Sequence, residues 1–265
     1  MKLAAIQMVS TPDLDRNLAA ARRLLEQAAS GGAKIAALPE YFCFMGHGDE
    51  AKLALTEDDD GAGPIQTMLA TAARELGLWI IGGTLPMRSN DPARARNSCC
   101  VFAPDGHRAA RYDKIHLFCF DNGRERYDEG RVLEAGTMPT TVDMDGLRCG
   151  LSICYDLRFP ELYRAMGDCA LISVPAAFTY TTGEKHWELL LRARAVENQS
   201  YVIASAQGGK HENGRRTWGH SMVIDPWGEV LACVPEGEGV ALAEFDPARL
   251  KQVRDQLPAL RHRVI

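Results

Sequence analysis

"LRCGLSICYDLRFPELYRAMGDCALISVP", residues 147–175, is the stretch that decides how this chain is organised. It opens with alternation: Leu147, Cys149, Leu151 and Ile153 share one face of a strand, and Arg148, Gly150, Ser152 and Cys154 share the other. That places Cys154 at the last strand position. "FPELYRAMG" reads as a short helix with Pro160 near its start, and "CALISVP" as a buried strand. A thiol between a strand end and a helix start is expected to feel backbone N–H groups and the positive helix terminus, which favour the thiolate form that nucleophilic catalysis requires. The competing reading is a small buried hydrophobe.

The same grammar runs outward in both directions. Towards the N-terminus, "KLAAIQM" is a strand, and "DLDRNLAAARRLLEQAASGG" a helix with Leu18, Leu25 and Ala28 on one face and Gly31 and Gly32 as its stop. "KIAALPE" is a buried strand. "GPIQTMLATAARELG" is a helix from Pro64 to the Gly77 stop, followed by the strand "LWIIGG". "NSCCVFA" and "HRAARYDKIHLF" flank the turn "PDG" as a hairpin, and "TTVDMDG" pairs with "LRCGLSIC". Towards the C-terminus come the long helix "GEKHWELLLRARAVENQ", the strand "SYVIASA", a hairpin around "DPWG", the strand "VALAEFD" and the helix "PARLKQVRDQL". Residues 119–138 read as a long functional loop, and the tail "PALRHRVI" has no evident place. "KIAALPEYF" (34–42) and "ALISVPAAF" (170–178) echo each other, as two stacked sheets built from similar halves would. The expectation is one domain over residues 1–265, a layered α/β or α+β sandwich with helices outside the sheets.

Composition narrows the function classes. With 30 basic and 35 acidic residues well interleaved, no basic stripe for nucleic acid and no polybasic membrane patch is present, so small-molecule or protein partners are favoured. The apolar run at the N-terminus is too short for a signal peptide or a membrane span, which predicts a cytoplasmic protein. The eight cysteines form no CxxC pair, and the seven histidines no HExxH, so neither a disulfide scaffold nor a metal is expected.

Two further residues stand where chemistry could use them. Glu40 ends the buried strand in "IAALPEYF", beside Tyr41 and Phe42, where desolvation suits a carboxylate to general-base work. Lys114 follows a strand in "YDKIHLF", and an ammonium beside a thiolate would lower the thiol pKa and hold a developing oxyanion. A solvated loop glutamate and a surface lysine are the competing readings.

Together these segments resemble the nitrilase superfamily of carbon–nitrogen hydrolases over the whole chain: "LPEYF" its glutamate motif, "YDKIHLF" its lysine motif and "CYDLRFPELYR" its cysteine motif. "HWELLLRARAVENQSYV" and "GHSMVIDPWGEV" are similar to its long helix and final hairpin. The resemblance implies a four-layer αββα sandwich that forms a homodimer, no cofactor, and catalysis by Glu40, Lys114 and Cys154, with the backbone N–H of Tyr155 as a second oxyanion donor. It also implies a second glutamate, best matched by Glu129 in "RYDEGRV", with Glu125 and Glu134 as rivals.

The substrate implied is a small carboxylate-bearing amide. Within the superfamily, "FTYTTGEKHWELLLRARAVENQSYVIASAQ" looks most like the branch of deaminated glutathione amidase and ω-amidase, with a lean to the former. N-carbamoyl amino acid hydrolysis is a further alternative. Arg158 is the candidate for the substrate carboxylate, because guanidinium binds that planar group through two parallel hydrogen bonds; an ion pair with Asp156 or Glu161 is its competing role. Phe178, Thr181 and Thr182 are candidate pocket lining. A thiol redox protein and a catalytically silent binding protein are the readings from other classes. The first lacks a resolving cysteine motif, and the second would need a lost triad residue.

Overall fold

The structure, a computed structural model, describes residues 1–264. Lys2–Gln7 (β1), helix Leu14–Ser30 (α1), Ala33–Ala37 (β2), helix Pro64–Leu76 (α2) and Trp79–Ile81 (β3) open the chain. Leu85–Arg88 (β4), Ala95–Phe102 (β5) and Arg108–Asp113 (β6) follow, then the short pair Cys119–Asp121 (β7) and Arg126–Asp128 (β8). Next come Thr140–Met144 (β9), Leu147–Leu151 (β10), helix Pro160–Ala165 (α3), Leu171–Ser173 (β11), helix Tyr180–Asn198 (α4) and Tyr201–Ala204 (β12). Gly208–Lys210 (β13), Arg216–Trp218 (β14), Ser221–Ile224 (β15), Val230–Val234 (β16), Gly239–Glu244 (β17) and helix Pro247–Gln256 (α5) complete the order.

The helix ends follow local chemistry. The Asp13 carboxylate accepts the Arg16 N–H at 3.0 Å and satisfies one orphan donor of α1. Pro64 gives up no needed hydrogen bond at the start of α2, and Gly77 ends that helix in the left-handed conformation, φ 63°.

Two sheets result, with the orders β17-β1-β2-β3-β5-β4, where β6 also pairs with β5, and β16-β15-β12-β11-β10-β9. Each has three parallel strands at its heart, β1-β2-β3 in one and β10-β11-β12 in the other, joined by helical crossovers. Alternation along β1 explains the layering. Leu3 and Ala5 point into a core shared with Leu151, Ile172 and Val223 of the second sheet, while Ala4 and Ile6 pack against Leu24 and Leu25 of α1 and Leu69 of α2. Helix α4 covers the other outer face through Trp187, Leu191 and Ala195. Strands buried on both faces read as continuous apolar runs, as "KIAALP" and "CALISVP" do. The layers are therefore helix, sheet, sheet, helix, the four-layer αββα sandwich expected from the sequence. The echoed segments occupy matching places, β2 and β11, each flanked by parallel neighbours.

Four expectations need correction. Strand β10 pairs only to Leu151, so Cys154 is not a strand residue; it opens a 3-10 turn, Cys154–Arg158, because the chain bends out of the sheet after Leu151. The 119–138 stretch is not one loop: β7 and β8 form a hairpin, followed by a 3-10 turn, Glu129–Arg131. Helix α4 begins at Tyr180 rather than Gly183, because the Thr179 hydroxyl caps the Thr182 N–H and draws "YTT" into the helix. The tail carries a short 3-10 turn, Ala259–His262, and its last residue, Ile265, lies outside the described residues.

Candidate active site

Three charged side chains are buried together beyond the strand ends. Glu40 lies just past β2, 1% exposed, with its backbone carbonyl accepting from Gln207 Nε2 at 3.1 Å. Its Oε1 accepts from Lys114 Nζ and Asn97 Nδ2, each at 2.9 Å, and its Oε2 accepts the Ala177 N–H, also at 2.9 Å. Lys114 directly follows β6, and its N–H is held by the Asn97 carbonyl at 3.0 Å. Lys114 Nζ also donates to both oxygens of Glu129, at 2.8 and 3.0 Å. Glu129 in turn accepts the Phe118 N–H and the Tyr41 hydroxyl, each at 2.7 Å.

An ammonium removed from water is tolerated only when paired, and here two carboxylates hold it. Burial opposes the charge on Lys114, but Glu129 and Glu40 outweigh it and hold the ammonium well above its ordinary range. Burial pushes Glu129 up, yet the Lys114 charge and the hydrogen bonds from Lys114 and Phe118 bring it to a net lower value. The cluster is thus one cation between two carboxylates.

Cys154 faces this cluster with a backbone φ of 49°, the left-handed region that costs a side-chain-bearing residue about 1–3 kcal/mol. Two anchors hold it there. Its N–H donates to the Pro175 carbonyl at 2.8 Å, and the fully buried Asp156 accepts the Ile153 N–H at 2.9 Å. Asp156 also accepts the Tyr112 hydroxyl at 2.8 Å and the His116 N–H at 3.0 Å, so one carboxylate ties the cysteine turn to the residues on both sides of Lys114. The expectation of a thiolate-favouring environment is corrected. Burial pushes the Cys154 thiol well up, the Glu40 charge adds to this, and Lys114 only partly offsets it. The thiol therefore holds its proton more tightly than a free cysteine does, with the Glu40 side chain beside it.

A small cavity, open to solvent, lies against the sulfur, lined by Phe118, Cys154, Tyr155, Arg158, Ala177, Phe178, Thr179 and Thr182. Arg158, half-buried, pairs with neither Asp156 nor Glu161; its guanidinium lies 5.8 Å from the Tyr155 ring centre and 5.4 Å from that of Phe178, with His186 Nδ1 at 3.2 Å. Phe178 and Thr182 line the cavity as anticipated, but Thr181 does not. It is exposed on the first turn of α4 and donates to Glu125 at 2.8 Å, because a helix turns neighbouring residues to different faces. Thr179 takes the lining place. Of the rival glutamates, Glu125 is engaged by Thr181 and Glu134 pairs with Arg96, whereas Glu129 meets Lys114.

Sequence reasoning missed Asn97, Tyr41 and Asp156. Asn97 had a signal, a carboxamide at the head of the mostly apolar run "NSCCVFA", which is stable when buried only with a partner. Among the described residues, no group of three or more His, Cys, Asp or Glu side chains could hold a metal ion, and no helix is long and apolar enough to cross a membrane.

The model of the carbon–nitrogen hydrolase family matches residues 2–255. The deaminated glutathione amidase of Synechocystis is 43% identical over 98% of this chain and 97% of its own length. The chloroplastic omega-amidase of Arabidopsis thaliana is also 43% identical, over 97% of this chain and 70% of its own length. Among solved structures, Nit3 of Saccharomyces cerevisiae, a nitrilase-superfamily member, superposes with a TM-score of 0.89 at 30% identity over all of this chain and 97% of that one. A family match that runs almost end to end, relatives at this identity and the same fold lead to one conclusion: the chain belongs to the carbon–nitrogen hydrolase family.

Proposed function

We propose that this amidase hydrolyses the amide of a small 2-oxo carboxylic acid through a thioester on Cys154, with deaminated glutathione as its preferred substrate and 2-oxoglutaramate, the ω-amidase substrate, as the alternative. The observation that carries the reading is the burial of Glu40, Lys114 and Glu129 in one hydrogen-bonded cluster beside a cavity lined by Cys154. Glu40 takes the thiol proton as sulfur attacks the carbonyl carbon. Lys114 and the Tyr155 N–H, which donates to no backbone carbonyl among the described residues, hold the oxyanion. Protonated Glu40 gives its proton to the leaving nitrogen, the amine departs, and a water activated by Glu40 then cleaves the thioester. Glu129 holds Lys114, and Arg158 binds the carboxylate next to the keto group of the acyl half.

Relatives of both activities are equally identical to this chain, and the "FTYTTG" and "SAQGGKH" segments support the lean to deaminated glutathione. A redox role is disfavoured because Cys154 is the sole cysteine lining the cavity among the described residues. The reading includes one domain and a cytoplasmic homodimer. Exposed Leu189 and Val196, seven residues apart on α4, together with Trp227, offer an apolar surface for a second copy, which sedimentation would test. The activity is tested by following ammonia and 2-oxoglutarate release from deaminated glutathione, 2-oxoglutaramate, N-carbamoyl amino acids and simple nitriles. Release of 2-oxoglutarate from the first at the highest kcat/KM is the expected result, and turnover confined to carbamoyl compounds or nitriles would overturn it.

A further inference from the structure

Arg215 is the second half-buried guanidinium near the cavity that pairs with no carboxylate among the described residues. It lies in the turn between β13 and β14, 5.1 Å from the ring centre of Tyr127 on β8. Of the acids nearby, Glu212 pairs with Arg16 and Asp49 with Lys52, while Glu125, close to Tyr127, accepts the Thr181 hydroxyl and is not paired with Arg215. A guanidinium beside an aromatic ring with no carboxylate paired to it can receive one from a ligand.

Its position ties it to the mouth of the cavity on two sides. Tyr127 packs on Phe118 at 5.5 Å between ring centres, and Phe118 lines the cavity with Cys154. Thr217, two residues beyond Arg215, bridges to Thr179, which also lines it. Arg158 stands on a separate aromatic platform, Tyr155 and Phe178. The two guanidiniums thus stand on different sides of the cavity-lining residues, Arg158 beside the cysteine turn and Arg215 behind the Phe118 and Tyr127 rings.

We propose that Arg215 binds a carboxylate on the leaving amine, which makes the preferred substrate an amide charged at both ends: an oxo acid on the acyl side and a short, carboxylate-terminated peptide on the amine side. The proposal rests on the amidase reading above and adds to it a determinant that separates a peptide leaving group from ammonia. The β7–β8 and β13–β14 hairpins carry this determinant.

The test compares deaminated glutathione with its C-terminal glycinamide, which lacks only the terminal charge, in the wild type, Arg215→Gln and Arg215→Lys. In the wild type, kcat/KM for the acid should exceed that for the glycinamide by about ten-fold or more, the usual loss with a charge-assisted contact. Arg215→Gln should collapse that ratio to near one, and Arg215→Lys should restore part of it. A ratio that Arg215→Gln leaves unmoved overturns the assignment while the amidase reading stands. Hydrolysis of neither compound by the wild type overturns the peptide-amide reading itself, and this inference with it.

Discussion

Glu40→Gln separates the two consequences of the buried carboxylate. The side chain keeps its shape, but its amide presents one oxygen and one NH2 where three donors now converge, from Lys114, Asn97 and the Ala177 backbone, each at 2.9 Å. One donor is left facing another donor, at about 1–3 kcal/mol of stability. Lys114 keeps Glu129, so the cluster does not lose its charge balance altogether. Loss of the base should lower kcat by roughly 10²–10⁴-fold, which is about 3–5 kcal/mol on the barrier at 1.36 kcal/mol per decade. The thiol should move the other way. Glu40 raises the proton affinity of Cys154, so its removal leaves the Lys114 charge to lower it, and the pH midpoint of Cys154 alkylation by iodoacetamide should fall relative to the wild type. Steady-state amide hydrolysis, the alkylation rate from pH 5 to 11 and a urea melt check the three effects together. A folded variant within ten-fold of wild-type turnover, or one whose alkylation midpoint rises, would refute the assignment of Glu40 as the base.

Other substitutions probe the remaining parts. Cys154→Ala should abolish turnover with a urea midpoint close to wild type, whereas Cys149→Ala, buried in the core, should lower the midpoint and leave the per-molecule rate intact; activity that followed Cys149 would contradict the mechanism. Glu129 is ionised in the fold to a lower pH than its ordinary value of 4.5, so the stability it contributes is complete above that pH and lost as pH falls below it. Glu129→Gln should therefore flatten the acid side of the stability profile while costing about 3–5 kcal/mol at neutral pH, as breaking a buried pair does; an unchanged acid limb would refute the linkage. Arg158→Lys should lower kcat/KM about ten- to a hundred-fold for an oxo acid amide and much less for a neutral amide, since an ammonium cannot reproduce the two-bond fork. Equal losses on both would make Arg158 structural.

The parts legible in the sequence were those dictated by local chemistry. Doubly buried strands such as β2 and β11 announce themselves as apolar runs, and the stops of α1 and α2 as glycines. Glu40 sits just past such a run, Lys114 just past β6 and Cys154 shortly past β10, so their positions could be read although their contacts could not. The left-handed Cys154 was invisible, because its conformation is imposed by the distant Pro175 carbonyl and by Asp156 rather than by the local propensity of "SICYD". Its high proton affinity was misjudged for a related reason. Burial and Glu40, which lies more than a hundred residues away in the chain, outweigh any influence of a turn terminus. The β7–β8 and β13–β14 hairpins escaped notice because three-residue strands made largely of polar, charged and glycine residues carry no hydrophobic period. Thr181 was displaced by an N-cap one turn earlier than expected, which rotated it out of the cavity.

The central claim is that an acyl group is carried on Cys154. Rapid acid quench of the enzyme during turnover of deaminated glutathione, followed by intact-protein and peptide mass spectrometry, tests it most directly. The account predicts a transient mass increase equal to the 2-oxoglutaryl group, located on the peptide that contains Cys154 and absent from Cys154→Ala. Full turnover by the wild type with no adduct at any quench time, or an adduct on one of the other seven cysteines, would contradict it.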